Sequence, residues 1–158
     1  MNVMPGQMQA KSRQRGASAV EFAFVFPILF LLVYGVIVYS YVYVIQQSIT
    51  YSAQQSAEAA VAVNPLPEAT LNTRIEQRVR AVAVQSLNWL PADQRQRVIG
   101  ATGEKVQVAF VTIASDQNVV QVTLEFTVLG LFPAMTLPLV GNIPPLPSQL
   151  RAQAIARI

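Results

Sequence analysis

GASAVEFAFVFPILFLLVYGVIVYSYVYVI, residues 16–45, decides how this chain is organised. From Phe22 to Ile45 it runs 24 residues without one Asp, Glu, Lys or Arg. The hydrocarbon core of a bilayer takes about 20 apolar residues in a helix, so the run is long enough to span it with some tilt. The apolar part of a cleavable secretory signal is only about 7–15 residues. A buried helix in a soluble core seldom stays uncharged for so long. Residues 17–45 therefore read as a transmembrane helix.

Flanking charge gives its direction. Lys11, Arg13 and Arg15 precede the run, and the next basic residue is Arg74. The excess of positive charge stays on the cytoplasmic side, so residues 1–16 form a basic cytoplasmic leader and everything beyond the helix is extracytoplasmic. This predicts a single-pass membrane protein with its N-terminus in the cytoplasm. Tyr39, Tyr41 and Tyr43 fall near the far end, where amphipathic rings prefer the headgroup level.

Composition agrees. The chain is 53% apolar and only 12% charged, against about 25% charged for an ordinary soluble domain. Eleven basic residues face eight acidic ones, and the leader's three account for the whole formal charge of +3. The remainder is balanced and has no basic patch with interleaved aromatics, so a nucleic-acid partner is not expected. There is no cysteine and no histidine. That removes a disulfide framework, the usual zinc sites, cysteine nucleophiles and histidine-based triads. No metal and no cofactor are expected.

Outward from the apolar run, residues 1–15 contain Pro5 and Gly6 and read as disordered. A helix is expected to begin near Ala17. Pro27 interrupts its hydrogen bonding, which membrane helices tolerate where the freed carbonyl finds another partner. Gly35 is a point where another helix can approach closely. In QQSITYSAQQSAEAAVAV, residues 46–63, the helix continues outside the membrane. Ile45, Ile49, Ala53, Ala57 and Ala60 form one stripe at helical spacing, and Asn64-Pro65 ends the pattern. A helix over 17–63 would be about 70 Å long.

Residues 64–158 form a small exported unit. A second helix is expected over 73–90, opened by a Thr73–Glu76 capping box and carrying Ile75, Val79, Val82 and Leu90 on one side with Ser86 between them. The period then changes to two. Residues 104–113 and 119–129 alternate, with SDQN at 115–118 as the turn of a hairpin. Residues 130–147 are Pro-rich and read as an irregular apolar connection. QLRAQAIARI, residues 149–158, alternates again, which favours a third strand over a short helix. The expected fold class is α+β: a long N-terminal helix, then a helix and a small antiparallel sheet of about three strands.

The acids outside the membrane are scattered. Asp93 follows a Pro-Ala pair, Asp116 lies in the hairpin turn and Glu125 on a polar strand face. They form no acid–base pair, and there is no phosphate-binding glycine loop. No enzymatic activity is expected. Glu21 stands apart. A carboxylate within an apolar helix costs about 2.5–3.5 kcal/mol on insertion scales. Either it lies at the bilayer edge and reaches headgroup water, or it pairs. If a protease cut between Gly16 and Ala17, Glu21 would be the fifth residue of the mature chain. A carboxylate one turn from a helix N-terminus is favoured by the dipole, and in staggered subunits it would meet the new α-ammonium of a neighbour. Such a pair sets register.

RQRG followed by ASAVEF resembles a type IV prepilin processing site, with Gly16 and Glu21 at its diagnostic places. More narrowly, RGASAVEFAFVFPILFLLVYGVI resembles the N-terminus of TadE-like proteins through Gly16, Ala19-Val20-Glu21-Phe22-Ala23, Pro27 and Gly35. QSITYSAQQSAEAA is similar to the family's small-residue stretch after the membrane, although this chain has Gln54 and Glu58 where the family often carries basic residues. TadG-like proteins share the Arg-Gly and the apolar run but usually lack the glutamate. The resemblance implies a minor pilin, or pseudopilin, of a Tad/Flp pilus, cut at Gly16–Ala17 by a prepilin peptidase and using Glu21 in assembly. The implied partners are a Flp-type major pilin, TadF-like and TadG-like minor pilins and the Tad inner-membrane platform. The implied role is priming or capping. The alternative from the residues themselves is an extracytoplasmic binding or scaffold protein on an uncleaved anchor.

Overall fold

Good helix formers at Ala10, Lys11, Arg13, Gln14 and Arg15 start a helix well before the apolar run. In a computed structural model, which describes residues 10–65, 68–113, 117–132, 135–137, 141–143 and 145–158, helix α1 runs Ala10–Val61. The expected start near Ala17 is therefore too late, and 10–15 are helical rather than disordered; residues 1–9 lie outside the described residues. Gly16 costs about 1 kcal/mol relative to Ala inside a helix, too little to stop it between such neighbours. Pro27 lies inside α1 and has no N–H to offer the Ala23 carbonyl.

The chain divides into two units, Met1–Tyr39 and Ser40–Ile158. In the first, α1 exposes nearly all its apolar side chains from Val20 to Ile37. In the second, the same helix buries one stripe. Ile45, Ile49, Ala53, Ala57 and Ala60 are all at most 2% exposed, as their spacing predicts. Val42 joins them in the core. Tyr41 is half-buried and meets Phe132 edge-on with ring centroids 5.5 Å apart, whereas Tyr39 and Tyr43 are exposed.

After a 3-10 turn at Glu68–Thr70, helix α2 runs Leu71–Ser86. Its N-cap is Thr70, without a side-chain cap bond, so the Thr73–Glu76 pair does not open the helix. Thr73 and Glu76 sit in its first two turns instead, where Glu76 pairs with Arg80 at 3.9 Å on the surface. The buried line is Ile75, Val79, Ala83 and Leu87, a strict four-residue step. Val82 is half-buried beside it, and Leu90 enters the core from the turn after the helix. Pro91 then opens a helix that the alternation-based reading does not contain, α3 at Ala92–Ile99, which buries Val98 and Ile99. Asp93 falls in its first turn, where the dipole favours a carboxylate.

The sheet has strand order β1-β2-β5, with β1 at Gln107–Ile113, β2 at Gln117–Thr127 and β5 at Gln149–Arg157, all antiparallel. The third strand is thus a strand. Residues 114–116, and with them Asp116 and most of the expected turn, lie outside the described residues. Val120, Val122, Leu124, Phe126 and Val128 are buried along β2, as their alternation predicts. They share one core with the α1 stripe and the α2 line. The Pro-rich segment is not wholly irregular. It holds a two-stranded ladder, β3 at Met135–Leu137 against β4 at Gly141–Ile143, because three prolines-free residues on each side suffice for a short pair.

Two polar links tie α1 into this unit. The Gln46 side-chain amide donates to the Arg151 carbonyl at 3.2 Å. The hydroxyls of Ser52 on α1 and Ser86 on α2 are 2.7 Å apart. One turn on, Ser56 Oγ is buried with no hydrogen-bond partner. An unpaired buried hydroxyl costs about 1–3 kcal/mol. Ser56→Ala is expected to stabilise the protein, and Ser52→Ala to destabilise it by about 1 kcal/mol. Thermal melts of the two variants moving in opposite directions is the expected result.

The link from α3 to β1 is a carboxylate collar. Gly100 and Gly103 have φ of 77° and 86°. Glu104 Oε1 accepts the Ala101 N–H at 2.9 Å, and Oε2 accepts the Thr102 N–H at 2.8 Å and its hydroxyl at 3.1 Å. A side chain at Gly100 would run into that carboxylate. These bonds, the Thr102 N–H foremost, hold the Glu104 pKa at about 2 instead of 4.5. A depressed carboxyl pKa contributes stability that is full above the unfolded value and disappears as pH falls through the folded one. The stability gap between the natural chain and Glu104→Gln should therefore be constant above pH 4.5 and close between 4.5 and 2. Melting curves across that range check it.

Candidate functional site

The segment singled out by its sequence, 13–35, is one stretch of α1. Lys11, Arg13 and Arg15 lie on its first turns as backbone, so the leader enters the apolar run without a break. Gly16 and Ala17 are both exposed. In an α-helix the Gly16 carbonyl accepts the N–H of Val20, so the bond between Gly16 and Ala17 sits inside a hydrogen-bonded turn. Glycine is the residue at which such a turn opens most readily.

Glu21 is exposed on the first full turn after Gly16. Beside it runs an aromatic ladder at four-residue steps. Phe22 and Phe26 lie 5.3 Å apart by ring centroids, Phe26 and Phe30 6.2 Å, and Phe30 and Tyr34 6.4 Å. Phe22, Phe26 and Phe30 are each at least half exposed. In sequence the carboxylate comes just before this stripe, and Pro27 falls between Phe26 and Phe30.

The two glycines behave alike. A Cβ built on Gly16 or on Gly35 would meet nothing within 4 Å. Neither is required by packing within the single chain. Val20–Tyr39 covers about 30 Å at 1.5 Å per residue, the thickness of a hydrocarbon core. The helix is a candidate membrane anchor by length and composition, with a mean hydropathy of 2.5 over its most apolar window. Glu21 falls at one margin of that stretch.

The other acids are placed apart from this segment in the sequence and in different elements. Glu125 lies on the open face of β2, 3.6 Å from Arg151 across the strand pair. Glu58 and Gln54 are exposed on α1, away from its buried stripe. The Glu104 collar went unrecognised in the sequence; its signal was the IGATGEK spacing, with two glycines bracketing the loop ahead of an acid. The aromatic four-residue step was likewise legible, but apolar residues crowd every side of that helix.

Neither a curated protein nor a solved structure matches the chain. A family model does. The model of TadE-like proteins matches residues 16–58, from Gly16 through most of the small-residue stretch. Over residues 16–58, a little over a quarter of its length, the chain is similar to TadE-like proteins.

Proposed function

We propose that the chain is a minor pilin of a Tad pilus. Its leader, 1–16, stays in the cytoplasm, its helix crosses the inner membrane, and residues 64–158 fold outside. A prepilin peptidase cuts Gly16–Ala17, and the product takes part in priming or capping a fibre of Flp-type pilin, together with TadF-like and TadG-like partners on the Tad platform. It acts by assembly and not by turnover. The match to TadE-like proteins that opens at Gly16 carries this reading.

The physical logic runs through Glu21. Cleavage leaves an ammonium at Ala17 and four unpaired N–H groups on the first turn. Positive charge gathers there from both the terminus and the helix dipole. Glu21 of a neighbour, staggered by about one turn, neutralises it in an apolar setting. Two ions that are costly alone become tolerable as a pair only at that stagger, so the pair selects register. The exposed Phe22–Phe26–Phe30 stripe supplies area without register, since every four-residue shift of such a ladder looks alike.

An uncleaved signal anchor bearing a scaffold domain is the second reading. It is favoured by the unbroken helix through Gly16. The two separate on Glu21. Glu21→Ala is expected to leave membrane insertion and folding intact while sharply lowering pilus assembly, counted as surface fibres per cell. Normal fibre numbers in that variant would remove the pairing role.

A further inference from the structure

The two edges of the β1-β2-β5 sheet are treated differently by the fold. Strand register shows how. Just past the end of β2, the Val128 N–H donates to the Ser148 carbonyl at 3.0 Å, and near its start the Asn118 carbonyl accepts the Ile158 N–H at 3.0 Å. Both are even-numbered residues turned toward the β5 side, and the register between them is unbroken. Backbone groups alternate sides along an antiparallel strand. The odd residues of β2 therefore bond β1, through Gln107, Ala109, Val111 and Ile113. It follows that Val108, Phe110 and Thr112 turn their N–H and C=O groups away from the sheet. The same parity sends the Arg151 carbonyl outward from β5, and that is the carbonyl Gln46 caps from α1.

So β5 has a helix side chain on its edge, while β1 pairs only with β2 among the described strands. Nothing in β1 guards it. Gln107–Ile113 contains no charge, no proline and no glycine, the devices that normally blunt an edge. Ala109, Phe110, Val111 and Thr112 are all exposed, on both faces, although their neighbours Val119 and Val120 on β2 are buried. Phe110 and Val111 are 36% and 40% exposed.

We propose that β1 pairs with β1 of a second copy of this chain, antiparallel, about a twofold axis at Phe110. Outward parity requires even residues to meet even ones, and of the registers that do so the one centred on Phe110 overlaps the whole of Gln107–Ile113. Phe110 faces its own counterpart, and Val108 faces Thr112 of the other copy on either side, so every outward N–H meets a carbonyl. Val111 lies opposite Ala109, and Gln107 opposite Ile113. No like charges meet anywhere in the pairing, and the Phe110 pair gives a cross-strand aromatic contact at the centre. The two sheets become one of six strands, closed by the twofold and bounded by the two capped β5 edges. An occupant of another class would need an extended apolar strand. The second copy already has one with matching parity. This pairing is independent of cleavage at Gly16.

The chain has no native cysteine, so single substitutions report contacts cleanly. Residues exchanging both bonds across an antiparallel pair have Cα atoms about 5.5 Å apart, within the reach of a disulfide. Full-length F110C, purified in detergent and oxidised, is expected to shift to twice the monomer mass, and I155C, exposed on β5, to stay monomeric. A mixture of V108C and T112C, which leaves Phe110 in place, should crosslink while each alone does not. A monomeric V108C–T112C mixture overturns the proposal, as does I155C crosslinking as readily as F110C. Crosslinking of V108C to itself would signal another register and overturn it equally.

Discussion

One helix must satisfy two surroundings, and the rest of the structure follows from how it does so. Beyond Ser40, α1 buries Ile45, Ile49, Ala53, Ala57 and Ala60 in the core it shares with α2 and the sheet. Before it, the apolar side chains from Val20 to Ile37 are left uncovered. The change lies in side-chain size as much as in hydrophobicity. Large residues crowd every side of the first stretch, where lipid or other helices would be the neighbours. Alanines and serines line the second, where a second helix comes close enough for Ser52 and Ser86 to touch. Burial of so many small residues supplies little apolar area each, so the core also needs the β2 row from Val120 to Val128 and the α2 line from Ile75 to Leu87.

That division gives Glu21 its meaning. It is not a core residue, because it lies in the uncovered stretch, and its cost in an apolar medium falls if it reaches headgroup water or if a positive charge comes to it. One turn to either side of it along the helix lie Ala17, Ser18, Phe24 and Val25, none of them basic. Gly16 and Gly35 are equally unused by internal packing. A carboxylate, two glycines and an aromatic ladder thus lie on one uncovered stretch of helix. The TadE-like match covers the same residues.

Much of this was legible in the sequence, and the failures have physical causes. Period decided the outer half of α1 and the buried row of β2, and it favoured a strand for β5, since burial on one face leaves a repeat. Start and stop signals did worse. Thr73 and Glu76 have capping-box spacing, yet Thr70 closes the turn, because the 3-10 turn at Glu68–Thr70 already sets the helix direction. The leader was misread because Pro5 and Gly6 suggested disorder for residues that Ala10, Lys11 and Arg13 carry into the helix. The short helix α3 hides because only Val98 and Ile99 are buried in it. The collar at Glu104 and the bare edge of β1 depend on backbone direction, which side-chain pattern does not report.

The account turns on the peptide bond after Gly16. Intact mass of the protein extracted from membranes of cells with an active prepilin peptidase tests it most directly. A chain beginning at Ala17, with the Lys11–Arg13–Arg15 leader gone, is the predicted result. A chain that keeps its full mass in those cells, while other prepilins there are cut, would contradict it.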